Sequence, residues 1–386
     1  MKRVYLDHNA SAPLRPEARA LFDEVLGECA GNASSVHAPG RRARARIDEA
    51  RERVAAALHV MEEEVVFTSG GTESNNLALL GVLLARRGRA RDGLVTTAVE
   101  HSSVLGPAAA LESAGHPVVR VGVDACGRPA ASDLMAAARD ARVGLVSLMA
   151  ANNEVGSVGP LADLRAALAE LPAGERPLLH TDAVQALGRL PINLEGVALA
   201  SFSAHKVGGP LGCGVLVKRS GVPLSGLFAG GGQEFDLRPG TENVPAIAAG
   251  ALAIELAAAE REAFAARSRE LAGTLWREVR RTLPEAALVG PPIDEERLPN
   301  TVNIALPGID GRVLVTRLDL NGLAVSAGSA CASGSLEPSH VLLAMGRSRE
   351  AARAGLRLSI GRDTTAKDIH TAVETLGKTF ASEHKP

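Results

Sequence analysis

The chain has 386 residues, too many for one small core, so two domains are expected. Its 46% apolar and 22% charged residues describe an ordinary soluble globular protein, and a formal net charge of -2 gives no general attraction to nucleic acid or an anionic membrane. The four cysteines, at 29, 126, 213 and 331, lie far apart, which argues against a disulfide framework and against a zinc site.

The opening run Met1-Lys-Arg-Val-Tyr-Leu-Asp-His8 has two basic residues but no apolar core of a signal peptide. No run approaches the roughly 18 apolar residues of a membrane helix, so a cytoplasmic protein is expected. Residues 5–13 read as a brief strand broken at Pro13, followed by a helix from Pro16 to near Gly31, since proline suits a first helical turn. A polar loop over 32–40 leads into a helix carrying Arg41-Arg-Ala-Arg-Ala-Arg46. Asp48, Glu49 and Glu52 follow, with Ile47, Val54 and Leu58 at helical spacing, so the arginines read as a solvated helix face.

From residue 64 short β-rich runs alternate with helical stretches: 65–68, 94–97, 117–121, 143–149, 177–181, 199–203 and 213–217. Every gap has room for a crossover helix except the last, where glycines suggest a hairpin. The pattern predicts an α/β fold with a large, doubly wound, mostly parallel sheet and one antiparallel member. An alanine-rich helical region covers 246–283. Beyond it come a strand at 301–306, a helix near 310–320, strands at 323–326 and 356–360, and a final helix, together a smaller α+β domain. The expected division is 15–258 for the large domain and 1–14 with 259–386 for the small one.

In open α/β sheets, ligands bind outside the carboxyl ends of the parallel strands. Five polar clusters fall there. Ser69-Gly-Gly-Thr-Glu-Ser-Asn-Asn76 places Gly71 and Thr72 at a helix start, where free N–H groups suit a phosphate. Val99-Glu-His-Ser-Ser-Val104 contributes His101, and Ala150-Ala-Asn-Asn-Glu-Val-Gly156 contributes Asn153. Asp182 and Gln185 follow the fifth strand, and Ser203-Ala-His-Lys206 follows the sixth. Each alone has an ordinary explanation as a tight turn, a helix cap or a surface lysine. Together they supply a phosphate cradle, a histidine, an amide, a carboxylate and a lysine, the set that pyridoxal 5′-phosphate requires. Lysine forms the Schiff base, an acid pairs with the pyridinium nitrogen, and N–H groups hold the phosphate.

Over essentially its whole length the chain resembles the NifS/IscS-like cysteine desulfurases, class V aminotransferases with the fold type I pyridoxal-phosphate architecture. The markers are Tyr5-Leu-Asp-His-Asn-Ala, Asn32-Ala-Ser-Ser-Val-His, Phe67-Thr-Ser-Gly-Gly-Thr-Glu-Ser-Asn-Asn, Glu100-His-Ser-Ser-Val and Asn152-Asn-Glu-Val-Gly. They continue with His180-Thr-Asp-Ala-Val-Gln, Ser203-Ala-His-Lys, Arg238-Pro-Gly-Thr-Glu-Asn, Ser326-Ala-Gly-Ser-Ala-Cys-Ala-Ser-Gly and Arg357-Leu-Ser-Ile-Gly. The resemblance implies that Lys206 anchors the cofactor and moves the proton at the substrate's Cα. It implies that Asp182 pairs with the ring nitrogen, Gln185 bonds the phenolic oxygen, and His101 stacks on the ring and acts as a catalytic residue in proton transfer. Gly71, Thr72, Ser203 and His205 would bind the phosphate, joined by Thr241 of the partner subunit in a homodimer. Asn153 and Arg357 would hold the substrate carboxylate, and Asn32 would help to close the site.

The same resemblance makes Cys331 the nucleophile that takes sulfur from L-cysteine as a persulfide and leaves L-alanine. Its surroundings, Ser326-Ala-Gly-Ser-Ala-Cys-Ala-Ser-Gly-Ser335, hold only small residues, as expected of a mobile loop. The loop's length and Leu336-Glu-Pro-Ser-His340 resemble the long-loop branch, which implies transfer to an acceptor protein, an iron–sulfur scaffold or a tRNA-thiolation enzyme, without an obligatory activating partner. Three features depart from the family: Val207-Gly-Gly-Pro-Leu211 after the lysine, His8-Asn9 at the expected pocket mouth, and an end soon after the final helix where some relatives carry a docking tail. A selenocysteine lyase, another class V transaminase or lyase, and a non-catalytic scaffold of the same fold remain as alternatives. A hydrolase pairing Cys331 with His340 or His101 would leave the lysine and the phosphate loop without a purpose.

Overall fold

The computed structural model describes residues 3–86, 90–328 and 337–383. The chain opens with β1 (Val4–Tyr5), α1 (Pro16–Glu28) and α2 (Ala38–Leu58). Then come β2 (Val65–Thr68), α3 (Gly71–Ala85), β3 (Gly93–Thr97), α4 (Ser102–Ser113), β4 (Val118–Val121) and α5 (Ala131–Ala138). They are followed by β5 (Val143–Ser147), α6 (Leu161–Ala169), β6 (Leu178–Asp182), β7 (Leu199–Ser203) and β8 (Gly214–Lys218). After α7 (Val244–Ala259) and α8 (Arg261–Thr282) lie β9 (Ala287–Val289), β10 (Thr301–Ala305), α9 (Gly311–Leu320) and β11 (Leu323–Ala324). The chain finishes with α10 (His340–Ala344), α11 (Arg349–Arg353), β12 (Gly355–Ser359) and α12 (Ala366–Glu383).

The large sheet has seven strands in the order β2-β8-β7-β6-β5-β3-β4. β3 to β7 pair in parallel, while β8 is antiparallel to both its neighbours, the hairpin member expected from the glycine-rich gap. Since β2 is antiparallel to β8, it runs the same way as the parallel strands, and its carboxyl end lies at the same edge as theirs. Both faces are covered over the middle of the sheet, so β2, β3, β5 and β7 are buried at every position rather than at alternate ones, while β4 at the edge leaves Val119 and Arg120 exposed. Val65 and Phe67 join Ile47, Val54 and Ile254 in one core, and Val66 joins Leu79, Leu83 and Val104 in another.

A three-stranded antiparallel sheet, β12-β10-β9, packs with α8, α9 and α12 through Leu275, Leu314, Ile304, Leu358 and Leu376. β1 pairs in parallel with β11, so the opening strand returns to the C-terminal part of the chain.

Two local departures have physical causes. α2 begins at Ala38, inside the expected loop, because His37 caps it by accepting from the Gly40 N–H at 3.2 Å and Pro39 is tolerated in the first turn. The alanine-rich region is two helices, α7 and α8, meeting at Glu260, whose carboxylate takes the Arg15 guanidinium at 2.8 and 3.0 Å. On α2 the arginines face outward as expected, Arg46 pairing with Glu24 and Glu28 of α1. Arg51 is different: it is buried and forms an ion pair with Glu234 at 2.6 Å. Among the described residues no helix is long and apolar enough to cross a membrane.

Candidate active site

Lys206 lies on a single 3-10 turn, Ala204–Lys206, immediately after β7. The N–H groups of Val207 and Gly209 donate to the Ala204 carbonyl at 3.0 and 2.8 Å and close the turn. Glycine suits position 209, since a Cβ there would stand 2.7 Å from the Ala204 Cβ. The Lys206 ammonium donates to the carbonyls of Asn9 at 2.9 Å and Ala10 at 2.8 Å.

Asn9 is 1% exposed and lines the cleft from below, while His8 is buried and lines a second cavity behind Lys206, so neither stands at the mouth, where the sequence reading put them. The Asn9 amide donates to Thr301 Oγ1 at 2.8 Å and to the Asn153 carbonyl at 3.0 Å, and its Oδ1 accepts from Asn300 at 3.0 Å. A residue so fully satisfied is rigid, and its carbonyl is a fixed acceptor for the lysine.

Asp182 ends β6. Its Oδ1 accepts from the Val184 N–H at 3.0 Å and its Oδ2 from Asn75 Nδ2 at 2.7 Å. The same Asn75 amide donates to Ser103 Oγ at 2.8 Å. Ser103 Oγ lies 2.7 Å from His101 Nδ1, which also accepts the Ser103 N–H at 3.1 Å and so caps α4. An Nδ1 that accepts leaves the proton of the neutral ring on Nε2. Gln185, one turn past Asp182, donates from Nε2 to the Asn9 carbonyl at 3.0 Å and accepts on Oε1 from Arg189 at 2.6 Å.

The turn from β2 into α3 is held by Glu73, which accepts the Ser69 N–H at 2.8 Å and is itself held by Arg238 at 3.1 Å. Gly71 begins α3, where backbone N–H groups have no helical partner. A side chain at 71 would press on Val184, its Cβ only 2.8 Å from Cγ2. Ser203 Oγ is buried and has no hydrogen-bond partner among the described residues, the mark of a donor kept for a ligand. Burial, then the Lys206 and Arg189 charges, push the His205 imidazole down to about 4, so the ring is neutral at pH 7.

Arg357 of β12 is 1% exposed. It donates from Nη2 to Asp7 Oδ1 at 2.7 Å and from Nη1 to the Asn153 carbonyl at 3.1 Å, while its buried Nε has no partner among the described residues. Beneath these residues Glu100 is fully buried, accepting from Thr97 Oγ1 at 3.0 Å and the Met149 N–H at 2.9 Å. Burial first, and also the Asp182 charge, push its carboxyl up to about 8.

Gly71, Thr72, His101, Asn153, Asp182, Gln185, Ser203, His205, Lys206 and Arg357 line one cleft of about 200 Å³ at the carboxyl ends of the strands. Asn32 and Thr241 do not line it; both are exposed, and Asn32 Oδ1 accepts the Ser34 N–H at 2.8 Å. Cys331 lies outside the described residues. Sequence reasoning did not assign Asn9, Ala10, Asn75, Asp7 or Arg189. Asn75 lay within the quoted phosphate-loop cluster, which was the available signal.

The donor set fits pyridoxal 5′-phosphate. The orphan Ser203 hydroxyl, the helix start at Gly71 and the surplus of cations suit a phosphate, while Lys206 and Asp182 suit an aldehyde and a ring nitrogen. A mostly parallel α/β sheet with this set at its strand ends defines a pyridoxal-phosphate enzyme of fold type I. The sequence profile of the aminotransferase class-V family matches residues 4–371. A cysteine desulfurase IscS of Dictyoglomus turgidum is 41% identical over 379 residues, covering 97% of this chain and 94% of its own.

Among solved structures, a NifS-like protein matches with a TM-score of 0.91 at 35% identity, covering 98% of this chain and 100% of its own. SspA in complex with cysteine matches with a TM-score of 0.78 at 31% identity, covering 92% and 98%. The chain belongs to the class-V aminotransferase family and, within it, to the group of IscS- and NifS-like cysteine desulfurases.

Proposed function

We propose that this chain is a pyridoxal 5′-phosphate-dependent cysteine desulfurase that takes sulfur from L-cysteine, releases L-alanine and passes the sulfur on through a Cys331 persulfide. The observation that carries this reading is the unpartnered Ser203 hydroxyl in the cleft that also holds Lys206 and Asp182. The likeness to IscS-like relatives and to SspA in complex with cysteine favours cysteine as the substrate.

The Gly71 and Thr72 N–H groups, Ser203 Oγ and the neutral His205 ring hold the phosphate. With the cofactor bound, Asp182 would set a negative charge against its ring nitrogen, Gln185 would donate to its phenolic oxygen, and His101 would pack against the ring. When bound, the cofactor supplies an electron sink for charge arising at the substrate's Cα. Arg357 lines the cleft and its Nε, unpartnered among the described residues, is left for the substrate carboxylate, with the Asn153 side chain beside it. Lys206, freed from its two carbonyl acceptors, moves the proton at Cα. The Cys331 thiolate attacks the substrate Sγ: an S–S bond forms, the Cβ–S bond breaks, and the electron pair left on carbon is protonated to give alanine.

The assembly is a homodimer, with Thr241 of the partner subunit completing the phosphate site. Leu211, Phe228 and Phe235 are large apolar side chains left exposed in the single chain, which supports a second copy covering apolar surface. Asn32 helps to close the cleft. The acceptor is a protein, an iron–sulfur scaffold or a tRNA-thiolation enzyme, and the setting is the cytoplasm, whose reducing conditions keep a nucleophilic thiol available.

The test is alanine and persulfide formation from L-cysteine, with the absorbance spectrum taken on the same sample. Lys206→Ala should lose the cofactor's visible band and make no alanine. Cys331→Ala should keep the band and make no persulfide. Sulfur release by Cys331→Ala at the parent rate would overturn the assignment of the nucleophile, and preference for selenocysteine would favour the lyase.

A further inference from the structure

Arg189 is 4% exposed, and a guanidinium buried this deeply ordinarily faces a carboxylate. Here its hydrogen bonds go to neutral acceptors: the Gln185 carbonyl at 2.9 Å, Gln185 Oε1 at 2.6 Å and the Lys206 carbonyl at 3.1 Å.

Among the described residues, the groups that face it leave the charge unbalanced. From the opening segment these are His8 and Arg15, from the turn after β7 His205 and Lys206, and from β12 Arg357. A second, smaller cavity behind Lys206 adds Glu260, Arg362 and Asp363. The carboxylates here are engaged by other arginines: Glu260 by Arg15 at 2.8 Å, Asp363 by Arg362 at 3.5 Å and Asp7 by Arg357 at 2.7 Å. Burial, together with Arg357, lowers Arg189 itself only to about 10, so it stays charged at neutral pH.

This cation acts on the site through two contacts. A guanidinium can only donate, so the end of Gln185 that it meets must be the carbonyl oxygen. That fixes the amide: Nε2 points the other way, gives one hydrogen to the Asn9 carbonyl and has the second left for the cleft that Gln185 lines. The bond to the Lys206 carbonyl ties down the turn that carries the lysine.

We propose that Arg189 is a positioning residue that locks the Gln185 amide with its donor end toward the cleft and supplies the unneutralised positive charge against which the cofactor's phenolic oxygen stays anionic. This rests on pyridoxal 5′-phosphate occupying the cleft as proposed above. A fixed neighbouring cation favours loss of a proton from the lysine-bound cofactor, so it lowers the pH at which the visible band titrates.

The experiment is a spectroscopic pH titration of the cofactor-loaded protein and three variants. Arg189→Met should move the midpoint to higher pH by about 1 unit or more, roughly a tenfold change in proton affinity. Arg189→Lys keeps the charge but not the fork, and should shift less. Gln185→Glu turns the acceptor into a counter-ion for Arg189 and removes the donor; it should shift like Arg189→Met, and it serves if Arg189→Met does not fold. In the cofactor-free protein, the His205 imidazole followed by NMR should titrate at higher pH in Arg189→Met than in the parent. A parent-like midpoint in both Arg189→Met and Gln185→Glu overturns the proposal. A wild-type protein that never shows the visible band overturns the cofactor reading and this proposal with it.

Discussion

Gly214 offers a test of the phosphate cradle without touching a residue that lines it. It pairs with Thr68 of β2 on one side and Ser203 of β7 on the other, directly under the turn into α3. A Cβ at 214 would stand 2.5 Å from both the Cα and the carbonyl carbon of Gly70, and 2.7 Å from its nitrogen. These are backbone atoms, so no rotamer change relieves the overlap. To regain ordinary contact near 3.4 Å the turn must retreat by about 1 Å.

A hydrogen bond of about 2.9 Å stretched by that amount is no longer one. The Gly71 and Thr72 N–H groups would then lose charge-assisted bonds worth about 1.5–3 kcal/mol each, so Gly214→Ala should bind pyridoxal 5′-phosphate on the order of 100- to 10,000-fold more weakly. Overpacking should also cost about 1–3 kcal/mol of stability. The assay is titration of cofactor-free protein by visible absorbance, with urea unfolding of the same preparation. Gly106→Ala is the control: it lies within α4, a Cβ there meets nothing within 4 Å, and it should gain about 0.5–1 kcal/mol. If Gly214→Ala bound the cofactor as tightly as this control, the cradle would have to be sought elsewhere.

Three further outcomes follow from the same geometry. Asn75→Ala removes the 2.7 Å donor to Asp182 and should lower cofactor affinity or turnover roughly 10- to 100-fold, while Asn75→Asp, which sets a second carboxylate against the first, should be worse in both assays. Arg357→Lys keeps a charge but loses the planar fork that spans Asp7 and Asn153, so KM for L-cysteine should rise about tenfold with kcat less affected, as steady-state kinetics would show. Glu100 is raised in the folded protein from 4.5 to about 8, so its favourable contribution is complete below about pH 4.5 and disappears as pH rises through about 8. Urea midpoints across that window should therefore fall less steeply in Glu100→Gln than in the parent, and equal slopes would show that the carboxyl is not held protonated.

The strand alternation and the residues at the strand ends were readable because both are local. Periodicity identified the strands of the large sheet, and each site residue at a strand end came with the strand. Helix α2 was begun too late because its cap is a histidine, an uncommon capping residue. β9, α10 and α11 have only three to five residues each, too few to show a period. What stayed out of reach was closure over distance. Asp7 and Arg357 are 350 positions apart, as are Asn9 and Ser359, and nothing along the chain marks them as partners. Arg189 was missed for another reason: a lone arginine beside a glycine in a turn looks exposed until the fold buries it. Asn9 shows the same limit, since only its distant partners Thr301, Asn300 and Ser359 hold it in the floor of the cleft.

That floor has a consequence for biosynthesis. The acceptors for Lys206 are the carbonyls of Asn9 and Ala10, made well before the lysine, whereas the groups that fasten Asn9 in place, on Thr301 and Ser359, are made well after it. A nascent chain can therefore build the seven-stranded sheet and still lack a positioned lysine. Competence for the cofactor arrives only when β12 has emerged and folded back on the beginning, so partial translation products should be silent toward pyridoxal phosphate and spare the cell a reactive, half-formed amine site.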